Sequence, residues 1–225
     1  MKKILCISDQ IDPVIYSKDI KEKYGDVDFI ISAGDLPIDY LDFVQSSLNK
    51  PLYFVFGSHH LKALTHYHPE MAEKTKDGEV NIFKKGNTKK SNQGTYIGFK
   101  SLKHENIIIA GVSGAKKHND GKNQFTEKQM QRKLSKMIPA LFLNKLRYGR
   151  YLDILVTHCP PLIEDEKEEN KQEAFECFTK FISFFKPKYL IHGQVHIYDP
   201  QQSRSTRHGE TEIINAYSRH ILEVH

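Results

Sequence analysis

Four histidines, His59, His60, His66 and His68, fall within the short stretch "FVFGSHHLKALTHYHPE" (Phe54 to Glu70). They follow directly on a run that reads as a buried strand. Imidazole is the commonest metal-binding side chain, and loops leaving strand ends are where active sites are built. The pattern of an apolar run stopped by polar residues recurs along the chain, at Asp9, Gly34-Asp35, Gly57-Ser58-His59, Thr157-His158 and Gly193-Gln194-Val195-His196. Any one alone is weak, because Gly-Asp is an ordinary turn. All of them together, each closing an apolar strand, point to one site assembled from distant segments. The chemical question is whether these imidazoles do metal chemistry or mark the remnant of a metal site.

Strands and helices must bring those residues together. "KILCIS" is a first strand, and "SKDIKEKYG" reads as a helix with Ser17 at its N-cap and Gly25 just past its end. "VDFIISAGD" is a second strand, "YLDFVQSSLN" a second helix and "PLYFVFGSHH" a third strand. Nearly all-apolar strands alternating with helices indicate a parallel sheet covered on both faces. Ligand crevices in such sheets lie outside the carboxyl ends of the strands, so Asp9, Asp35 and His59 should converge.

Further along, "VNIFKK", "GTYIGF" and "NIIIAGV" read as strands, and "TEKQMQRKLSKM" as a helix opened by a Thr126/Gln129 capping box. "LDILVTHCPP" and "KYLIHGQVHIY" are two more strands. Between them "QEAFECFTKFISFFK" is amphipathic, with Ala174, Phe175, Phe178, Phe181, Ile182 and Phe185 on one face. "TEIINAYSRHILEVH" reads as two strands around a turn. No repeat, linker or boundary divides the chain, which predicts a single domain over residues 1–225.

Composition narrows the setting. With 39% of its 225 residues hydrophobic, the chain has ample material for a core. No apolar run approaches the roughly 20 residues that span a bilayer. The opening "MKKILCIS" is too short in its apolar part for a secretory signal. Three cysteines with no framework spacing fit a reducing cytoplasm. Cys159 beside His158 does not make a cysteine hydrolase, because adjacent strand residues face opposite ways. The net charge of +5 is uneven: Lys84, Lys85, Lys89, Lys90, Lys100 and Lys103 form a basic 84–103 region without an acid. It reads either as a solvated face or as a surface for phosphate groups, including nucleic acid. "EDEKEE" (Glu164 to Glu169) is an acidic loop.

Taken in order, the motifs resemble those of the calcineurin-like metallophosphoesterases: Asp-x-His, Gly-Asp, Gly-Asn-His-Asp/Glu, a lone His and Gly-His-x-His. The resemblance spans nearly the whole chain. "ISAGDLPIDYL" and "HGQVHIYD" are similar to segments of a subgroup whose first motif, Ser-Asp-Glu, lacks the histidine. The resemblance implies an α/β fold, an αββα sandwich of two mixed sheets flanked by helices. It also implies two ions of the manganese, iron or zinc type, roughly 3.5–4 Å apart. Asp35 would bridge them, Asp9 and His196 would serve the first, His158 the second, and His59 would act at the leaving group. The implied reaction is hydrolysis of a phosphate ester, a phosphodiester by preference, by a metal-activated water.

The departures bear on that reading. Ile11 stands where the family has the first-motif histidine, Ser58 replaces an asparagine ligand, Gln194 replaces a histidine ligand, and His60 stands where an acid usually follows. Asp9, Asp35 and His196 leave the first position three good ligands, a workable open site. Asp35 and His158 alone make a weak or empty second position, with Ser58, His60 and Gln194 as weak or substitute donors. Neutral oxygens suit manganese or magnesium better than zinc or iron. His66 and His68 are either loop histidines or a lid over that position. The rival reading is a non-catalytic descendant of the fold that binds nucleic acid, a nucleotide or a protein.

Overall fold

A strand that is apolar on both faces must be covered twice, and this chain covers its strands by stacking two sheets between two helical layers. The computed structural model describes residues 1–68, 94–163, 168–199 and 201–224. The first half contains β1 (Lys2–Ser8), α1 (Ile20–Tyr24), β2 (Phe29–Ser32), α2 (Ile38–Leu48) and β3 (Leu52–Phe54). A 3-10 turn (Leu61–Ala63), α3 (Leu64–Tyr67) and β4 (Thr95–Tyr96) follow. Next come β5 (Lys100–His104), β6 (Ile107–Val112), the short β7 (Ala115–Lys116) and β8 (Gln124–Phe125), and the long α4 (Glu127–Tyr148). The chain then forms β9 (Ile154–Thr157), α5 (Glu168–Glu173), α6 (Glu176–Phe185) and β10 (Tyr189–His192). It closes with β11 (Ser205–His208), β12 (Thr211–Asn215) and β13 (Ser218–Val224).

One sheet has the order β13-β1-β2-β3-β4 and the other β11-β12-β10-β9-β6-β5. Both are mixed: β13 is antiparallel to β1, and β5 and β11 are antiparallel edges on an otherwise parallel sheet. Alternation of side chains along the strands sets the layers. Leu5, Ile7, Ile30, Leu52 and Phe54 face outward onto Ile20 of α1 and Leu41, Val44 and Leu48 of α2. Their neighbours Ile4, Cys6, Phe29, Ile31 and Tyr53 face inward, onto Ile109, Ile154, Val156, Ile191 and Ile214 of the other sheet. That sheet's far face, with Ile108, Leu155, Leu190 and Ile213, packs on Met130, Leu134 and Leu141 of α4 and on Phe178, Phe181 and Phe185 of α6. The result is the αββα sandwich.

Several local expectations change, and Ala174 and Phe175 precede the amphipathic helix α6 instead of lying on it. Helix α1 begins at Ile20, and Ser17 donates its hydroxyl to the Val14 carbonyl instead of capping it. Helix α4 opens with the Thr126/Gln129 capping box but runs on through Pro139 to Tyr148. Strands β12 and β13 are not a hairpin: the chain crosses from one sheet to the other between them, through buried Ala216 and Tyr217. Each strand has apolar residues that need burial, and two different sheets offer it. "VNIFKK", Lys84, Lys85, Lys89 and Lys90, and Glu164 to Lys167 of the acidic loop lie outside the described residues.

Candidate metal centre

Strand β1 delivers Asp9 and β2 delivers Asp35, both beyond the end of regular structure and both in the left-handed region, at φ 63° and 55°. Gln194, just past β10, shares that conformation at φ 63°. Each such residue costs roughly 1–3 kcal/mol and persists only where its surroundings hold it. Here they do. The Asp9 amide donates to the Gly34 carbonyl at 3.1 Å, and Gly193 N–H donates to the His158 carbonyl at 3.0 Å. Asp35 Oδ1 accepts from the His59 amide at 2.8 Å, and Asp9 accepts from the Gln194 amide at 3.1 and 3.2 Å. Glycine is obligatory at two of the crossing points. A Cβ on Gly57 would collide with Asp35 Oδ1 and His158 Nε2, and one on Gly193 with Ser8 Oγ and Asp9 Oδ2.

His158, just past the end of β9, is fully buried beneath the two carboxylates. Its Nδ1 donates to the Ala33 carbonyl at 2.9 Å, which commits Nε2 to face the site. Nε2 lies 3.2 Å from Asp35 Oδ2, yet it makes no aligned hydrogen bond. Asp9, Asp35 and His158 each offer a ligand atom, all within 4.8 Å of one another. Donors about 2.1 Å from a shared ion stand roughly 3–4 Å apart, so small side-chain adjustments would complete a site.

The electrostatics fit the same use. Burial pushes the Asp9 carboxyl above its ordinary range, against the pull of His158 and Ser8. Burial acts on Asp35 too, but the His158 charge and the His59 amide hold it below that range. Burial would lower His158, yet Asp35 and Asp9 raise it to about 9. The two carboxylates thus draw positive charge toward His158, and a divalent cation would meet the same demand. Two carboxylates and an imidazole whose Nε2 makes no aligned hydrogen bond fit such a cation.

Above this group lies an open pocket of about 340 Å³, lined by Asp9, Asp35, His59, His60, Glu173, Gln194 and His196. His59 and His60 are exposed on its rim, with His60 left-handed at φ 54°. His196 is also exposed and stands outside the tight ligand group. Its Nδ1 pairs with Tyr198 Oη at 3.0 Å, and its ring lies on Tyr217 at 4.7 Å. The compact trio is Asp9, Asp35 and His158, drawn from both positions the motif order suggested, Asp9, Asp35 and His196 for the first and Asp35 and His158 for the second, and His196 lines the same pocket. Ser58 is half-buried beside the pocket lining, and Ile11 is 45% exposed. His66 and His68 lie away from the pocket: His66 sits edge-on to Tyr67, and His68 Nε2 pairs with Tyr96 Oη at 2.7 Å. Cys159 is buried, which pushes its thiol up and away from any thiolate role.

Two residues escaped the sequence reading. Glu173 reaches the pocket wall from α5, and its Oε2 accepts from Gln194 Nε2 at 3.1 Å and pairs with His118 Nε2 at 2.8 Å. It follows an acidic run and precedes an amphipathic one, so nothing local marks it. Asp12, 1% exposed, takes the Val14 amide at 2.8 Å and pairs with Ser218 and Arg219 of β13, bracing the loop that carries Asp9.

Comparison with known proteins agrees with this architecture. The family model described as calcineurin-like phosphoesterase matches residues 2–198. One solved structure shares 12% identity over 98% of this chain and 94% of its own, with a TM-score of 0.62. The protein TT1561 of Thermus thermophilus shares 15% identity over 96% of this chain and 89% of its own, with a TM-score of 0.58. At these identities the structural likeness concerns the fold alone. No curated protein sequence matches the chain. Among the described residues no helix is long and apolar enough to cross a membrane.

Proposed function

The chain belongs to the calcineurin-like phosphoesterases, which hydrolyse phosphate esters with divalent metal ions, and from that premise we propose that it hydrolyses a phosphodiester with one well-made cation position and a second, weaker one. The observation that carries this reading is the Asp9–Asp35–His158 group, whose buried Nε2 makes no aligned hydrogen bond, at the floor of an open pocket. A bound divalent cation would supply Lewis acidity toward the phosphoryl group and lower the pKa of water. The rest falls to the chain. Asp9, Asp35 and His158 Nε2 would hold the cation, and Asp35 would be shared with the weaker position. His196 and the Gln194 and Ser58 oxygens are the weaker donors, and manganese suits such oxygens best among the family's metals. His59, its backbone tied to Asp35, holds a proton toward the leaving oxygen.

The charge of the pocket supports a diester. Among the described residues three carboxylates, Asp9, Asp35 and Glu173, line it with no Lys or Arg, so one divalent cation held by Asp9 and Asp35 would leave the pocket no surplus positive charge for a second phosphate charge. A phosphomonoester carries about −1.5 to −2 at neutral pH, whereas a diester carries a single charge. The three cysteines, all free and buried, support a cytoplasmic setting.

The test is hydrolysis of bis(p-nitrophenyl) phosphate beside p-nitrophenyl phosphate, with and without Mn²⁺. The expected result is metal-dependent turnover that favours the diester and is lost in Asp35→Asn. A protein that binds Mn²⁺ but leaves both esters intact would instead be a binding module for nucleic acid, a nucleotide or a protein. Ile11, Ser58 and Gln194 are the residues that favour that second reading.

A further inference from the structure

Gln194 stands where an imidazole ligand is missing, and its carboxamide is held by groups outside the ligand trio. Its Nε2 donates to Glu173 Oε2 at 3.1 Å, while its Oε1 is buried without a hydrogen-bond partner. Glu173 is itself held. His118 Nε2 pairs with the same Oε2 at 2.8 Å, and Lys116 Nζ donates to the adjoining Ala174 carbonyl at 2.7 Å. The segment around Glu173 is thereby pinned to β7 and the loop that follows it. An ionised carboxylate only accepts hydrogen bonds, so it decides which end of a carboxamide faces it. The amide nitrogen must turn to Glu173, and the oxygen is left over. Gln194 meanwhile donates its backbone amide to Asp9, which keeps its side chain next to the cation space.

We propose that Glu173 is a positioning residue: it takes the Gln194 NH₂ and so presents Gln194 Oε1 as a metal donor in place of the absent imidazole. The proposal rests on the metal-dependent reading above. It assigns Glu173 no direct contact with the cation, and His118 the role of holding Glu173 in place.

Mn²⁺ titration of the full chain, followed by the EPR signal of free Mn²⁺, tests this without any turnover measurement. Glu173→Ala should weaken Mn²⁺ binding at the affected position by about 10- to 100-fold, the usual cost of losing an outer partner of a ligand, and Gln194→Ala, which removes the donor itself, by at least as much. The double variant should bind no more weakly than Gln194→Ala, because both changes act through one oxygen. Glu173→Gln keeps an oxygen that accepts from Gln194 and should retain nearly the parental affinity. Were Glu173 a ligand in its own right, Glu173→Gln would lose as much as Glu173→Ala and the two alanine losses would add; either result overturns the proposal. If Glu173→Ala does not fold, His118→Ala replaces it, with a smaller loss expected that vanishes in the Gln194→Ala background; a loss that persists there counts against the proposal. Parental protein that binds no Mn²⁺ sinks the metal reading and this one with it. Parental binding that is unchanged by Glu173→Ala and Gln194→Ala sinks only the role of Glu173.

Discussion

The two walls of the pocket are held in different ways. On one side Asp9 and Asp35 are locked by left-handed backbone and by amides donated from His59 and Gln194, His158 by its own bond to the Ala33 carbonyl, and the crossings by glycines that admit no Cβ. On the other side the Gln194 and His196 side chains rest on neighbours near the rim, Glu173 for the first and Tyr198 and Tyr217 for the second. The first wall is organised before any ligand arrives, and the second relies on contacts that one substitution removes. Preorganised donors contribute most where charge must be held. Affinity and rate should therefore reside in the first wall, with the second adjusting them.

The largest test of that contrast is Asp35→Asn. It removes the carboxylate shared by both cation positions, and diester hydrolysis should fall by about three orders of magnitude, roughly 4 kcal/mol of transition-state stabilisation. Steady-state kinetics beside a Mn²⁺ titration would show it. An equal loss in Gln194→Ala would erase the contrast.

His59→Ala comes next. A leaving-group acid contributes roughly 100- to 10,000-fold, so the loss should be large for a diester with an alkoxide leaving group. It should be small for p-nitrophenolate, which needs no proton. Equal losses on both substrates would remove His59 from that role.

The joint restoration Ser58→Asn with Gln194→His returns an amide oxygen and an imidazole to the weaker position. Mn²⁺ affinity there and the hydrolysis rate should each rise about tenfold, or about 1.4 kcal/mol. A filled second position should act on rate as well as affinity, because paired ions hold both the attacking and the leaving oxygens. Tight Mn²⁺ binding without a faster rate would favour the binding-module reading.

The smallest effect concerns stability. Asp12 is held below the ordinary carboxyl range: burial works against this, but Ser218, Arg219 and the Val14 amide outweigh it. Its folded pKa lies under the unfolded value of about 3.9, so its contribution is present above that pH and is lost as acid carries the pH down through the folded value. Asp12→Asn should cost about 1.5 kcal/mol at pH 7, the low end for a charged hydrogen bond because Arg219 is partly exposed. The gap between variant and parent should narrow by pH 3. Urea unfolding at both pH values checks this, and a gap that stays constant would remove Asp12's charge from the account.

Much of the fold was legible along the chain. Apolar runs stopped by Asp9, Asp35, His158 and Gln194 predicted strand ends, and the rule that crevices form beyond carboxyl ends predicted that they would meet. Thr126 and Gln129 marked the start of α4, because capping is local chemistry among neighbouring residues. The amphipathic face of α6 was readable for the same reason, since Phe178, Ile182 and Phe185 recur at helical spacing.

Other features were decided only when distant segments met. Periodicity shows that a strand has a face to bury but not against what, so "TEIINAYSRHILEVH" could not reveal that β12 and β13 belong to different sheets. Donor identity was readable, but donor direction was not. His196 occupies a ligand position in the motif, and its pairing through Nδ1 with Tyr198 and the stacking of its ring on Tyr217 are set by contacts the motif does not announce. Glu173 carries no mark in its own neighbourhood, because its partners His118 and Gln194 lie 55 and 21 positions away. The sequence by itself determined which residue types end each strand, since that depends on local propensity and patterning. Only the tertiary structure decided which of those side chains share an ion's reach and which are held by a neighbour, because that depends on contacts between segments whose separation along the chain carries no information about their distance in space.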